Sequence, residues 1–425
     1  MKGITKKEKS WIFYDWANSA YSLIITTAVF PIYFKAAANN AGLASATSTA
    51  YWGYANSLAT FLISLLAPIL GTIADYKDFK KRFFTFFFAL GIIFTAMLAI
   101  VPHNQWLLLL ICYMLTVVGF AGANIFYDAF LIDVTTDERM NRTSTRGYAY
   151  GYIGSTIPFI IAIAIIILAQ NNILPLSATV ASQIAFSITA LWWGLFTIPL
   201  LRNVTQNYYI EHEPNPIGNS FKRLFQAFLN IKKHRIVFLF LLSYFFYIDG
   251  VDTIITMSTA YGTDLGISST NLLIILFVTQ IVAAPFSLLY GKLAEKFSGR
   301  TMLLVGIVMY VIICTYAYFL KTTLDFWILA MLVASSQGGI QALSRSYFAR
   351  IVPRESANEF FGFYNIFGKF AAIMGPFLVG VTAQATGKTN AGVLSIVILF
   401  IIGGVILTKV PKQKEITSAT NAETM

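Results

Sequence analysis

The chain has 425 residues, 57% of them hydrophobic and only 12% charged, with a formal net charge of +11. Its mean hydropathy is +0.68, whereas a soluble domain carries about 25% charged residues, so this composition excludes a protein whose whole surface faces water. The lysine and arginine excess is what the basic loops of a membrane protein supply, and it gives no ground for nucleic-acid binding.

A helix needs about 20 apolar residues to cross ~30 Å of hydrocarbon. Twelve stretches qualify: 11–36, 49–74, 83–101, 105–132, 147–169, 179–201, 236–261, 270–293, 301–319, 326–348, 360–383 and 391–408. The first follows Lys2, Lys6, Lys7 and Lys9, and its apolar run from Trp11 to Phe34 has 24 residues, too many for a signal-peptide core. It is expected to stay as span one. Pro31, Pro68, Pro158, Pro285 and Pro376 fall inside spans, where neighbouring helices can satisfy the freed backbone groups.

The connection from Arg202 to Arg235 is long and holds Pro214, Pro216 and Gly218. It divides the chain into a six-helix bundle at 1–201, a linker at 202–235, a second six-helix bundle at 236–410 and a tail at 411–425. The basic amphipathic stretch Phe221–Arg235 either lies on the inner membrane surface or is a plain linker. With the N-terminus inside, 25 of the 30 Lys and Arg residues fall in cytoplasmic segments, while the outer loops hold only Lys35, Lys321 and Lys388. That bias puts both termini in the cytoplasm, and an integral plasma (inner) membrane protein is expected.

The two halves repeat. Gly71-Thr-Ile-Ala-Asp75 after span two matches Gly291-Lys-Leu-Ala-Glu295 after span eight. Asn124 and Asp128 of span four fall opposite Gln341 and Arg345 of span ten, 217 positions later. Asp137-Glu138 matches Arg354-Glu355 at the same offset, and Phe13-Tyr14 with Asp15 resembles Phe246-Tyr247 with Asp249. Parallel six-span repeats about an axis along the membrane normal are a transporter architecture, with the solute site near the midplane between the halves.

These residues carry a family resemblance. Gly71-x-x-x-Asp75 with Lys77, Lys80 and Lys81 resembles the major facilitator loop motif, with the spacing after Asp75 off by one and Asp78 where glycine is usual. Tyr14-Asp15-Trp16-Ala17-Asn18-Ser19, Tyr247-x-Asp249-Gly250-Val251, Glu359-Phe360-Phe361-Gly362-Phe363-Tyr364 and above all Gly338-Gly339-Ile340-Gln341-Ala342-Leu343-Ser344-Arg345-Ser346 look like the "unknown major facilitator" family. That family is similar to the fungal vacuolar amino-acid effluxer. The resemblance covers essentially the whole chain and implies an all-α, twelve-span major facilitator fold with alternating access. An amino-acid-like solute follows only by analogy with the fungal branch.

Charges inside the spans need a partner or a function, since each costs roughly 2.5–3.5 kcal/mol at mid-membrane by insertion scales. Asp249 lies 14 residues past Arg235, about 21 Å along the helix, and Asp252 shares its face. Two carboxylates this close suit proton coupling. The alternative is that one binds a basic neighbour and the other caps a break at Gly250. Lys369 reaches similar depth in span eleven and either pairs with Asp249 or Asp252 or holds a substrate carboxylate. Asp128 and Arg345, of opposite sign at equivalent positions, are expected to bridge the halves as an inner gate. The alternative pairs Asp128 or Asp133 with Arg142 or Arg146 inside one half. Asp15 with Asn18 and Ser19 either lines the cavity or stays at the interface near Lys9. Asp75, by the motif, packs at a helix N-terminus and braces the loop, a conformational role. Tyr14, Tyr127, Tyr152, Tyr247 and Tyr364 accompany polar residues and are candidate cavity-lining side chains.

No cofactor or metal is expected. Cys112 and Cys314 sit in apolar stretches and His103, His212 and His234 in loops. Thr386-Gly387-Lys388-Thr389 has Thr382 where a phosphate-binding loop needs its first glycine. The residues favour a monomeric secondary transporter of a small polar solute, with protons as a possible second cargo and the lipid bilayer as partner. A carrier of amphiphiles is the nearest rival; a receptor, a channel and a membrane enzyme each lack their defining feature.

Overall fold

In the computed structural model, residues 3–43, 45–211, 219, 234–264, 267, 269–371, 374–386 and 389–411 are described. Among them every regular element is a helix, apart from an isolated backbone bridge between Tyr76 and Ile210. Twelve helical stretches are long and apolar enough to cross a membrane. Spans one to six are Lys6–Asn40, Ser45–Ala74, Phe79–Ile100, Trp106–Ala129, Met140–Gln170 and Ala178–Asn203. Spans seven to ten are Arg235–Asp264, Ser269–Phe297, Gly299–Tyr318 and Thr323–Ile351. Span eleven is Ala357–Ala371 with Met374–Thr386, and span twelve is Thr389–Ser395 with Val397–Leu407. The tail 412–425, His212, Gly387-Lys388 and most of the amphipathic stretch 221–235 lie outside the described residues.

Several helices start earlier than the apolar windows predict, because their caps are polar. Thr5 accepts the Glu8 N–H at 3.1 Å and the Glu8 carboxylate accepts the Thr5 N–H at 2.7 Å, a capping box. Thr322 and Asp325 repeat this ahead of span ten at 3.2 and 2.9 Å. Span five begins at Met140 rather than 147, its polar first turns being packed among other helices. Span one contains a π-helical segment, Ser22–Ala28, just ahead of Pro31. The Thr27 hydroxyl bonds back to the Ser22 carbonyl at 3.0 Å, and the missing N–H of proline favours a local change of helical pitch.

The chain forms two compact units. Unit one is Met1–Val134, Tyr150–Phe221 and Arg354–Gly362; unit two is Thr135–Ala149, Lys222–Pro353 and Phe363–Met425. Thus the first turns of span five belong to unit two and those of span eleven to unit one.

Unit one is centred on fully buried aromatics. Trp11 stacks on Tyr127 at 4.5 Å and donates its indole N–H to the Tyr127 carbonyl at 2.9 Å. Spans three and four touch through Gly91 and Gly119, where a methyl on Gly119 would meet the Gly91 backbone. Unit two is built around Tyr247, Tyr310, Tyr347 and Phe400, with Tyr310 stacked on Phe400 at 5.2 Å. On both units large apolar side chains point outward, Ile100 being 76% and Phe377 66% exposed, as a lipid-facing surface requires.

Candidate functional site

In unit two the helix of span seven runs unbroken through Gly250, which packs on the Phe400 ring. The expected alternative of a break at Gly250 is therefore wrong: with phenylalanine behind it, the glycine serves close packing. Asp249 is fully buried. Its Oδ1 accepts the Gly375 backbone N–H at 2.9 Å and the Thr253 hydroxyl at 3.4 Å, while Oδ2 is buried with no hydrogen-bond partner. Gly375 is in the first turn of Met374–Thr386, so a carboxylate meets the positive end of a helix. A side chain there would collide with Thr253.

Asp252 is half-buried one turn further on, within the electrostatic reach of both Asp249 and Lys369. Lys369 is exposed on unit two and, among the described residues, forms no ion pair within 4 Å. Tyrosines complete this region. Tyr244 stacks on Tyr364 at 4.2 Å and meets Tyr247 edge-on at 5.7 Å, and the Tyr247 and Ser344 hydroxyls share a hydrogen bond of 2.6 Å. Gln341 is half-buried on span ten.

In unit one Asn18 donates to Asn124 at 2.7 Å, linking spans one and four. Tyr14 is fully buried beside Asn18 and Trp193 and feels the charges of Asp15 and Asp128. Asp15 is buried among the helices of unit one, and Asp128 is half-buried. Gly151 and Gly154 let span five close on Ser19 and Trp16 of span one.

The loop after span two forms a second cluster in unit one. Asp75 Oδ1 accepts the Asn358 backbone N–H at 2.9 Å and its side-chain amide at 2.8 Å, and Oδ2 accepts the Glu359 N–H at 3.3 Å. These are the first N–H groups of span eleven, otherwise unsatisfied. Gly71 permits the approach, since a methyl there would strike the Asn358 carbonyl. Asp133 does not pair with Arg142 or Arg146, as one alternative supposed. It pairs with Lys80 at 2.6 Å, both side chains being fully buried, and also accepts the backbone N–H groups of Asn207 and Tyr208.

The copy in unit two works differently. Gly291 abuts Thr145, whose carbonyl accepts the Ser287 hydroxyl at 2.9 Å. Glu295 is exposed. The holding charge is instead Arg345, which donates to the Ser144 hydroxyl at 3.0 Å and carbonyl at 3.1 Å and lies over the Tyr148 ring at 4.6 Å. Nearby, the Thr136 hydroxyl and a backbone N–H hold the Glu138 carboxyl below its usual range.

Sequence reading missed Thr253, Gly375, Ser144, Tyr244 and the burial of Lys80. Asn358 carried a signal, since it stands 217 positions after Asn141, whose amide oxygen accepts from Ser346 at 2.8 Å in unit two.

A family model described as "Vacuole effluxer Atg22 like" matches residues 5–137 and 132–420. The uncharacterized MFS-type transporter YxiO of Bacillus subtilis (strain 168) is 64% identical over 97% of this chain and 96% of its own length. Autophagy-related protein 22 of Kluyveromyces lactis is 25% identical over 78% of this chain and 74% of its own. Among solved structures, the major facilitator transporter FucP in its outward conformation superposes with a TM-score of 0.70 at 13% identity, covering 96% of this chain and 98% of its own. The proton:xylose symporter XylE gives 0.71 at 12% identity, covering 96% of each chain. These likenesses establish the major facilitator fold.

Proposed function

Because the chain belongs to the Atg22-like vacuole effluxer family, we propose that it is a secondary transporter carrying an amino-acid-like solute by alternating access. Its relatives and structural neighbours are transporters rather than enzymes. The observation that carries the solute class is the proximity of Lys369 and Asp252, which lie within electrostatic reach of each other without forming an ion pair. An exposed ammonium and a half-buried carboxylate of one unit, within each other's field, complement the two charges of a zwitterion. Asn18, Asn124, Asp15, Tyr14 and Gln341 supply neutral and acidic partners in the same reading, beside Tyr247.

Proton coupling is assigned to Asp249 and Asp252. Asp249 keeps one oxygen for the Gly375 N–H and Thr253 and the other without a partner, so a proton on Oδ2 removes a buried charge. The inner gate comprises Asp128 and Arg345, with Asp75, Gly71, Asp133 and Glu295 at the loops. Reversing both charges, Asp128→Arg with Arg345→Asp, should restore transport that each single change abolishes. In this reading the chain is a monomer in the plasma membrane with both termini in the cytoplasm, its bundles at 1–201 and 236–410 joined by the linker 202–235.

Liposomes holding the purified protein and offered labelled amino acids, with and without a pH gradient, test this directly. Uptake of at least one amino acid, driven by the gradient and made gradient-independent by Asp249→Asn, is the expected result. Unchanged pH dependence in Asp249→Asn rejects the coupling assignment. The second reading is a carrier of amphiphiles, and what favours it is the apolar lining of a small cavity in unit two, among Ile254, Leu272, Ile275, Phe326 and Val333. Uptake of no amino acid would turn the assignment to it.

A further inference from the structure

The segment that leaves span six is tied to unit one at nearly every residue. Lys81 donates to the Val204 carbonyl at 2.9 Å, and Lys7 reaches Thr205 and Asn207 at 3.3 and 3.4 Å. The Gln206 side chain donates to the Ala74 carbonyl at 3.0 Å and accepts the Lys80 N–H at 3.3 Å. Asn207 gives its backbone N–H to the buried Asp133 carboxylate at 2.6 Å and its amide to the Asp133 carbonyl at 2.7 Å. Ile210 donates to the Asp75 carbonyl at 2.8 Å and accepts the Lys77 N–H at 3.1 Å. A connecting segment held this densely is a built part of the unit rather than a passive link.

Tyr208 stands at its centre and faces two ways. Its backbone N–H goes to Asp133 at 3.1 Å. Its hydroxyl accepts from the Arg354 guanidinium, which also lies over its ring at 4.9 Å. Arg354 opens the segment Arg354–Gly362, and four residues later Asn358 and Glu359 give their N–H groups to Asp75. From Phe363 onward span eleven belongs to unit two. The same short stretch of chain is therefore gripped twice, at Arg354 by Tyr208 and at Asn358 and Glu359 by Asp75.

We infer that Val204–Ile210 is a strap that latches the start of span eleven to unit one, with Tyr208 as the latch. Its role as a brake on opening rests on the alternating-access reading, in which the start of span eleven must leave the loop after span two when the cytoplasmic side opens. The strap anchors itself on the buried Lys80–Asp133 pair of unit one. Arg354 is the releasable contact: it is half-buried, so water can take the place of the tyrosine hydroxyl once the contact opens.

Backbone hydrogen exchange on the full-length protein in lipid nanodiscs tests this with no solute present. Tyr208→Phe keeps the ring beneath Arg354 and deletes the hydroxyl; Tyr208→Ala deletes both. Loss of one charge-assisted hydrogen bond should speed exchange in the peptide covering Arg354–Gly362 about ten-fold in Tyr208→Phe and further in Tyr208→Ala. Span nine, Gly299–Tyr318, should exchange as in the parent. Unchanged exchange at Arg354–Gly362 in both variants overturns the latch, and so does an equal rise in span nine. Transport does not enter the measurement, so failure to find a transported amino acid leaves the outcome readable.

Discussion

Asp75 holds Asn358 twice, by the backbone N–H at 2.9 Å and by the side-chain amide at 2.8 Å. A carboxylate placed on the first turn of a helix gains from the hydrogen bonds and from the partial positive charge there. Hydrogen bonds to a charged group contribute about 1.5–3 kcal/mol each, without strict additivity. Asp75→Ala should therefore lower stability by about 2–4 kcal/mol, read as a fall in the thermal midpoint of the purified protein. Asp75→Asn, which retains one acceptor, should lose less than half as much. Equal midpoints for Asp75→Ala and the parent would show that the contact carries no weight.

Two loop residues, Asp78 with φ of 67° and Ser298 with φ of 80°, adopt left-handed backbone. They stand 220 positions apart, the separation of Gly71 from Gly291, so both copies of the loop turn at the same register. The major facilitator motif that this loop resembles usually has glycine where Asp78 stands. Glycine removes the steric cost of such a conformation. Asp78 makes no side-chain cap to span three, so Asp78→Gly should stabilise by under about 1 kcal/mol, the relief of left-handed backbone being offset in part by glycine's greater freedom in the unfolded chain. Ser298 caps span nine by accepting the Thr301 N–H at 3.3 Å. Ser298→Gly should fall near zero, the lost cap offsetting the relieved backbone. Thermal midpoints of the two variants should differ in this order, and the reverse order would contradict the assignment.

Lys80 and Lys81 are neighbours with opposite fates. Lys80 is fully buried against Asp133, while Lys81 is half-buried and donates to the Val204 carbonyl. Removing one partner of a buried pair costs about 3–5 kcal/mol, because the other charge is left uncompensated. Lys80→Met should reduce the yield of folded protein and its midpoint severely, whereas Lys81→Met should cost under about 1 kcal/mol. Comparable losses would mean that Asp133 is satisfied by the Asn207 and Tyr208 N–H groups alone.

The contrast explains what the sequence discloses. Twelve spans are legible because each must present a long apolar face to lipid, and hydropathy measures that directly. The polar start of span five at Met140 is invisible to the same measure, since it is fixed by packing against Ser287 and Arg345. Lys80 and Lys81 look alike in a motif, and only the position of Asp133 separates them. Asp249 was legible as an intramembrane charge, but its contact with Gly375 joins residues 126 positions apart, and a backbone N–H leaves no trace in composition. The repeat was the strongest internal guide, yet it predicted likeness where the copies differ: Asp75 grips a helix start, and Glu295 is exposed.

Lys369 and Asp252 can be separated by their ligands. If Lys369 receives a solute carboxylate, Lys369→Gln should raise KM for a transported amino acid about 10- to 100-fold, the loss of a charge-assisted contact. KM for the methyl ester of that amino acid, which lacks the carboxylate, should stay unchanged. Asp252→Asn should show the complementary pattern, penalising the amino acid and its ester alike and sparing an analogue without the amine. Both variants remove a charge from a shared field, so their effects should be less than additive when combined. A fall in maximal rate with every KM unaltered would instead make the two residues structural partners of each other, and the solute would have to be sought among the asparagines and tyrosines of unit one.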